Sequence, residues 1–566
     1  MILLISFKTS FSQSKTIFID GVFDDWTSDL QTYTDTAESI NGIDLLEFQV
    51  TNDDNFLYLR IKANSEFDLT GGTPILHDLF LYLDTDLDVS TGFAVRDDFG
   101  AELGIDLADR ILYNNFNGTS SPNIFFSDIT FRSAPTVTSD EFEIAIRRDA
   151  IPDGVNALFP INQVKILFRN VDNFDWLPNL NNIYTYTFSS NPTSPYVPID
   201  LSKSNSSYIR IMGYNTKLNG LLDNDKLDEY ERILNAINPD IVGFVESSGT
   251  SESYIKSLFD TWLPLGNPNG WYVEKHGGEV TVSRWEITQQ WDLERQFPVL
   301  IDLPSSYQTD LLFTNAHLTC CGNDEARQRQ VDEYAAFILD AKTSGGIITL
   351  LEDTPIVYSG DLNLVGLSQQ LTTLVTGDIQ DTATYGNGAP LDWDDSDMKD
   401  ENVLQSDIPM NYTWRNDFSA FPPGKLDYMI FSDAVLQAEK SYTLQTEVMS
   451  MSRLSEYNLL ISDTSTASDH LPVIVDFSIP QSLSTTSNEE DLLTFSNPVK
   501  NRLKINFKSQ EIFKLSIYNL SGSLIKLETK SKYDNEIDVS DLTSGVYLLT
   551  AESKFDKAQS FKIIKL

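Results

Sequence analysis

The chain has 566 residues, too many for one hydrophobic core, and should hold several domains. Its formal net charge of -43 argues for solubility and against a broad basic nucleic-acid groove, so a polyanionic substrate would need a local cation to approach. Its 2 cysteines, the adjacent Cys320 and Cys321, exclude a disulfide framework or a four-cysteine zinc site, and no apolar run reaches the roughly 18 residues of a membrane span. The pair can form a vicinal disulfide or remain two loop thiols.

Charge and linkers divide the chain in three. Residues 1–207 carry 12 basic and 30 acidic side chains, residues 208–478 carry 16 and 42, and residues 479–566 carry 12 and 11. Polar stretches separate the blocks, "SSNPTSPYVPIDLSKSNSS" before Tyr208 and "IPQSLSTTSNEED" after Ser478. Residues 1–14, "MILLISFKTSFSQS", read as a short secretory signal peptide with little basic character.

Residues 16–195 alternate apolar and polar side chains between Asn, Asp and Gly turns, as in "LEFQVTNDDNFLYLRIKA" and "EFEIAIRRDAI", and predict a β-sandwich. "IFIDGVFDDW" followed by "NDDNFLYLRIKA" resembles the family 9 carbohydrate-binding and related sandwich modules, which implies a glycan as a partner of this block. In "LDTDLDVSTG", Asp84, Asp86 and Asp88 stand at alternate positions. An acidic turn is the first reading and a structural Ca2+ the second, because the later bidentate Glu of a calcium loop is missing.

Residues 208–478 alternate helix-like and strand-like segments. "DKLDEYERILNAI" places Leu227, Tyr230, Ile233, Leu234 and Ile237 on one helical face, stopped by Pro239. Apolar strands follow, and their ends carry chemistry: "IVGFVE" ends in Glu246, "LLFTNAHLT" in His317 and "IVYSGDLNL" in Asp361 and Asn363, which alternation points the same way. "GKLDYMIFS" contributes Asp427, and "SDHLPVIVDFSI" opens with Asp469 and His470. Taken singly, each has a plain structural reading: turn residues, caps, ion-pair partners, a core histidine. Together they gather ligand-type and catalytic-type side chains at the ends of buried strands, where a rigid sheet holds them while loops admit a substrate.

The order "IMGYNTK", "DIVGFVE", "NAHL", "SGDLNL", "YTWRND", "LDYMIF" and "SDHLPV" resembles the endonuclease/exonuclease/phosphatase superfamily. The resemblance implies a four-layered α/β sandwich, flanked here by the N-terminal β-sandwich and a small C-terminal one. It implies Mg2+, with Mn2+ as an alternative, on Glu246 with Asn215 beside it and Asp469 completing the environment. It further implies Asp361 on the attacking water, Asn363 on a phosphate oxygen, and His470 as general base or phosphate-polarising group. Asp427 would orient His470, and His317 would contact the phosphoryl oxygens.

Arg327 and Arg329 open a helix near the expected site and read either as phosphate holders or as partners of Asp324, Glu325 and Asp332. "APLDWDDSDMKDEN" is expected at the active-site rim, where it would repel a long nucleic acid or equally form an extra cation site, and Trp414 reads as a stacking platform or a core residue.

Residues 486–566 carry "NPV", "IYNLSG" and "LTSGVYLL" in order and closely resemble the type IX secretion sorting domain of the Bacteroidetes. That implies export through the periplasm to the cell surface or medium, with the secretion machinery as partner. The leading expectation is a secreted, monomeric, metal-dependent phosphodiester hydrolase acting on nucleic acid. A phosphomonoesterase or a lipid-headgroup or inositol-phosphate phosphatase is the alternative within the class. A non-catalytic glycan-binding surface protein is the rival outside it.

Overall fold

The computed structural model describes residues 14–37, 42–70, 77–116, 124–480, 493–495, 497–508, 512–519, 523–553 and 558–566. The segment read as a signal peptide lies outside the described residues except for Ser14, as does most of the linker after Ser478. The chain forms two compact units, residues 1–479 and 480–566.

Within the first unit, residues 16–195 fold mainly as two antiparallel sheets, beside a two-stranded hairpin of Phe93–Arg96 and Phe99–Ala101. One is five-stranded and built around Leu45–Asn52, Phe56–Phe67 and Ser139–Arg147. The other is six-stranded and built around Leu79–Asp84, Leu103–Asp106 and Gln163–Asn170. Alternation sends Leu57, Leu59 and Ile61 from one sheet and Leu81, Leu83 and Ile166 from the other into a single buried cluster. The Asp84–Asp88 stretch is a turn that satisfies itself: Leu87 N donates to Asp84 Oδ1 (2.7 Å), Asp88 N to Asp86 Oδ1 (2.8 Å) and Ser90 N to Asp88 Oδ1 (2.9 Å). Asp84 also pairs with Lys165 at 2.6 Å. Glu102, rather than Asp88, completes the carboxylate group with Asp84 and Asp86.

Buried carboxylates in this region set a pH dependence. Burial, reinforced by Asp86 and Asp84, lifts Glu102 to about 7, and burial lifts Asp68 to about 6. Unfolded, both ionise near pH 4, so between the two values the folded chain binds more protons and stability falls as pH rises through that window. The thermal midpoint should be higher at about pH 5 than at about pH 8, with the slope reduced in Glu102→Gln. A slope unchanged by that substitution would count against the assignment.

Residues 208–478 contain two six-stranded mixed sheets. The first runs Tyr272–His276, Glu279–Ser283, Ile241–Val245, Ile209–Asn215, Val473–Ser478, Gln437–Thr443. The second runs Ile287–Gln290, Gln296–Ile301, Leu311–His317, Ile356–Asp361, Asp427–Phe431, Lys399–Asp400. Ile211 and Val475 of the first pack against Phe313, Val357 and Met429 of the second in one buried cluster. Helices cover the other faces. Leu227–Ile237 buries Tyr230, Ile233, Leu234 and Ile237 as the 3.6-residue period predicts, and Asp324–Ala341 buries Val331, Tyr334 and Ile338.

Each sheet has one parallel pair at its centre, Ile209–Asn215 with Ile241–Val245 and Leu311–His317 with Ile356–Asp361. Such pairs finish at the same edge, and the crevice beyond strand C-termini is where α/β sheets hold ligands. Register carries the alignment further, since His317 lies opposite Asp361, and Asp361 opposite Asp427.

The second unit holds a three-stranded and a four-stranded sheet around Leu503, Ile505, Leu515, Ile517 and Leu549. Among the described residues no helix is long and apolar enough to cross a membrane.

Candidate active site

Strand ends bring six of the eight sequence-derived residues into one polar cluster. Asn215, fully buried at the end of its strand, donates from Nδ2 to Asp361 Oδ2 at 2.9 Å and to Glu246 Oε1 at 3.1 Å. Glu246 follows Val245 with φ 57, a left-handed conformation that costs a non-glycine residue of order 1 kcal/mol and turns its carboxylate back over the strand ends. Leu218 N donates to Glu246 Oε2 at 2.7 Å, and the side chain keeps 26% exposure to the cleft.

Asp361 is the centre. His317 Nε2 stands 3.7 Å and His470 Nε2 3.5 Å from its Oδ2, while Asn363 N donates to its Oδ1 at 3.1 Å. Burial pushes the Asp361 carboxyl up from the ordinary range. His470 is fixed from behind, with Asp427 Oδ2 at 2.8 Å from Nδ1, and Asp427 is itself held by Thr413 Oγ1 at 2.7 Å. Burial alone would depress the His470 imidazole, but Asp427 and Asp361 outweigh it and raise it to about 10. His317 goes the other way: burial lowers it, and Arg295 acts in the same sense. Arg295 donates to the His317 carbonyl at 2.6 Å and lies 3.1 Å from Nδ1, which leaves Nε2 to face Asp361.

Two of the eight residues are placed differently from the rest. Asp469 lines the same cleft but turns its carboxylate to Lys217, 2.9 Å away, and is absent from the two tight carboxylate–imidazole groups Glu246–His317–Asp361 and Asp361–Asp427–His470. Asn363, at φ 51, donates from Nδ2 to Leu318 O at 3.1 Å, so one of its two amide hydrogens already serves the fold.

Glycines set the floor of the site by letting the sheets approach. A Cβ on Gly213 would lie 2.5 Å from Ser359 Oγ, and one on Gly243 2.8 Å from Asn315 Oδ1. Asn315 crosses between the sheets to donate to Phe244 O at 2.7 Å.

The structure decides between open alternatives for several residues and corrects one expectation. Arg327 is fully buried and donates to Asp324 Oδ1 (2.7 Å) and Thr319 O (3.0 Å), while Arg329 pairs with Glu294 at 2.8 Å; both are ion-pair partners that never reach the cleft. The acidic insertion is not at the rim. Trp393 Nε1 donates to Thr354 O and Ala434 N donates to Asp392 Oδ2, which places it by the start of Ile356–Asp361, the end away from Asp361. Trp414 is half-buried, lines the cleft and bridges to His470. Cys320 and Cys321 are free, exposed thiols on the cleft wall.

The cleft encloses about 600 Å³. Sequence reading passed over Arg295, Thr413 and Lys217, which hold His317, Asp427 and Asp469, and it passed over every cleft residue from the N-terminal strands.

Residues 494–565 match the family described as the secretion system C-terminal sorting domain. This domain marks proteins exported through type IX secretion to the cell surface or extracellular space, so the chain is an exported one. No curated protein matches the chain. Its neighbours among solved structures include an endonuclease/exonuclease/phosphatase family protein from Leptotrichia buccalis, 12% identical, covering 48% of this chain and 100% of that one, with a TM-score of 0.31. Sphingomyelinase C from Streptomyces griseocarneus is 17% identical, covering 48% and 99%, with a TM-score of 0.28. The AP endonuclease of Leishmania major is 12% identical, covering 51% and 93%, with a TM-score of 0.30.

Proposed function

We propose that residues 208–478 form a four-layered α/β sandwich that hydrolyses phosphate esters with a divalent metal, phosphodiesters of nucleic acid first among them. The observation that supports this best is the convergence of Asn215, Glu246, His317, Asp361, Asp427 and His470 at one edge of two facing sheets. Chains from opposite ends of the block meet there, and no core-packing need accounts for two histidines and three carboxylates at one buried spot.

The donor set fits Mg2+ or Mn2+. Glu246 offers a partly exposed carboxylate with Asn215 beside it, which suits a hard cation that takes one or two carboxylates and keeps its waters. Asp469 would join from across the cleft by exchanging Lys217. When bound, the ion supplies positive charge to the phosphoryl oxygens.

The chain's own groups do the rest. Asp361, held by Asn215 and the Asn363 amide, orients the attacking water and takes its proton. His470, whose Nδ1–H Asp427 fixes, presents Nε2 to a phosphoryl oxygen, and His317 does the same from the opposite side through the tautomer Arg295 selects. Asn363 keeps one amide hydrogen for the phosphate.

A metal titration on a bis-aryl phosphate, single-stranded and duplex nucleic acid, an inositol phosphate and sphingomyelin tests the reading. Chelation should abolish turnover and Mg2+ or Mn2+ restore it. Turnover unaffected by chelator would overturn the metal-assisted reading, and turnover of monoesters alone would overturn the phosphodiesterase one.

A further inference from the structure

The cleft is not built by residues 208–478 alone. Its lining runs from Glu246, His317 and His470 to Leu69, Arg110 and Pro135 in the connections of the N-terminal sheets, within the same compact unit. The two parts are joined beside the site: Thr138 N donates to Gly366 O (2.9 Å), Ser368 N to Thr138 Oγ1 (2.9 Å) and Lys425 N to Thr136 Oγ1 (2.8 Å). Beneath them Ile17, Ile19 and Trp26 share a buried cluster with Met410, Tyr412 and Leu471, the neighbour of His470. A contact combining a buried apolar cluster with paired backbone groups holds its surfaces in fixed relation.

We infer that the N-terminal sandwich is a wall of the active site, and that it selects compact phosphate esters with a single nucleotide-sized planar group over duplex nucleic acid. The inference rests on the hydrolase reading above and names its substrate class. A volume of about 600 Å³ suits a compact ligand.

The chemistry of the wall is that of a stacking site. Arg110 lies 4.3 Å over the Phe421 ring, and its Nη1 donates to Thr70 O at 2.7 Å. The guanidinium is therefore pinned on the cleft wall, stacked on one face of the Phe421 ring, and Trp414 offers a second aromatic ring. Planar cations and aromatic rings take a base or aryl group by its face and tolerate its identity.

Charge excludes the longer polymer. Among the described residues, the basic side chains on the cleft, histidines aside, are Arg110 and Lys217, against Asp68, Asp324 and Asp469 around them. One phosphate can be met there, whereas a duplex needs a row of cations along its backbone. The terminal nucleotide of a single strand and a small free diester share the chemistry the wall accepts.

The test uses the full chain with Mg2+. Specificity constants are measured for a bis-aryl phosphate, a dinucleotide, a linear single-stranded oligonucleotide, a circular single strand and a covalently closed plasmid. Binding of a nucleoside monophosphate is measured in parallel by calorimetry. The first three should be turned over, linear single strand from its end, with the circle and plasmid at least about 100-fold slower. Phe421→Ala, at a ring 48% exposed in the parent, should keep the parent melting temperature. It should raise KM for the aryl and nucleotide substrates, and weaken nucleotide binding, by about tenfold with kcat little changed. Arg110→Ala should do the same.

Plasmid cut as fast as the bis-aryl ester, or wall variants with parent KM, would overturn the wall and leave the hydrolase standing. Nucleotide binding that depends on Phe421, with no turnover of any ester, would overturn the hydrolase and leave the wall. Absence of both would overturn both.

Discussion

Replacing His470 is expected to lower kcat/KM on a phosphodiester by about 10²–10⁴-fold, and the choice of replacement decides what that loss means. Asp427 is almost fully buried and its Oδ2 is held at 2.8 Å by His470 Nδ1, while its Oδ1 has no partner. His470→Ala would therefore strip a buried carboxylate of its main counter-charge, at a cost of about 3–5 kcal/mol. His470→Asn is the cleaner probe. Its amide can donate to Asp427 where Nδ1 did, yet nothing replaces Nε2, which stands 3.5 Å from Asp361. The asparagine protein should melt near the parent temperature and remain inactive, and the alanine protein should lose both. Steady-state kinetics beside calorimetric melting reads the two effects separately. Parent-like turnover in the asparagine protein would remove His470 from the chemistry.

The second large effect falls on a residue with no functional group. Gly360 stands between Ser359 and Asp361 at φ 144, and a Cβ there would lie 1.9 Å from the Ala316 carbonyl oxygen and 2.8 Å from its carbon. Neither is the end of a flexible side chain. Ala316 precedes His317 on the neighbouring strand, with which Gly360 and Asp361 are in register. Gly360→Ala should cost about 3 kcal/mol or more, combining backbone strain with a clash that only strand separation relieves. Because that separation would part His317 from Asp361, activity should fall even below the new melting temperature. Urea unfolding and kcat measured well below the midpoint check both halves. An alanine protein as stable as its parent would show that the approach of the two strands is soft.

The strand ends were legible in the sequence because of how the sheets are wound. Apolar runs such as "IVGFV" and "LLFTNA" had to be central strands, and parallel central pairs put their final residues at one edge, so reading the ends read the site. Supporting residues were hidden. Thr413 and Arg295 act on groups 14 and 22 residues away in sequence through turns whose direction no local pattern announces. The acidic insertion misled for a related reason: a loop before an antiparallel strand can sit at either end of the sheet, and composition does not say which. Arg327 and Arg329 could be read either way, because helical spacing offers Asp324 to Arg327 but cannot show Glu294, from outside the helix, already holding Arg329. The turn at Asp84–Asp88 could be read locally, whereas Glu102, from the junction of Phe99–Ala101 and Leu103–Asp106, could not.

The site's parts are spread from Asn215 to His470, and the strand that follows His470, Val473–Ser478, pairs with Ile209–Asn215, the first strand of the block. That pairing closes the sheet on which Asn215 sits. A chain ending before His470 would have Glu246, His317 and Asp361 in its sequence but no imidazole at Asp427 and no second neighbour for the Asn215 strand. The cluster is therefore incomplete in every nascent fragment that stops short of His470, and its last member arrives with the strand that pairs with Ile209–Asn215.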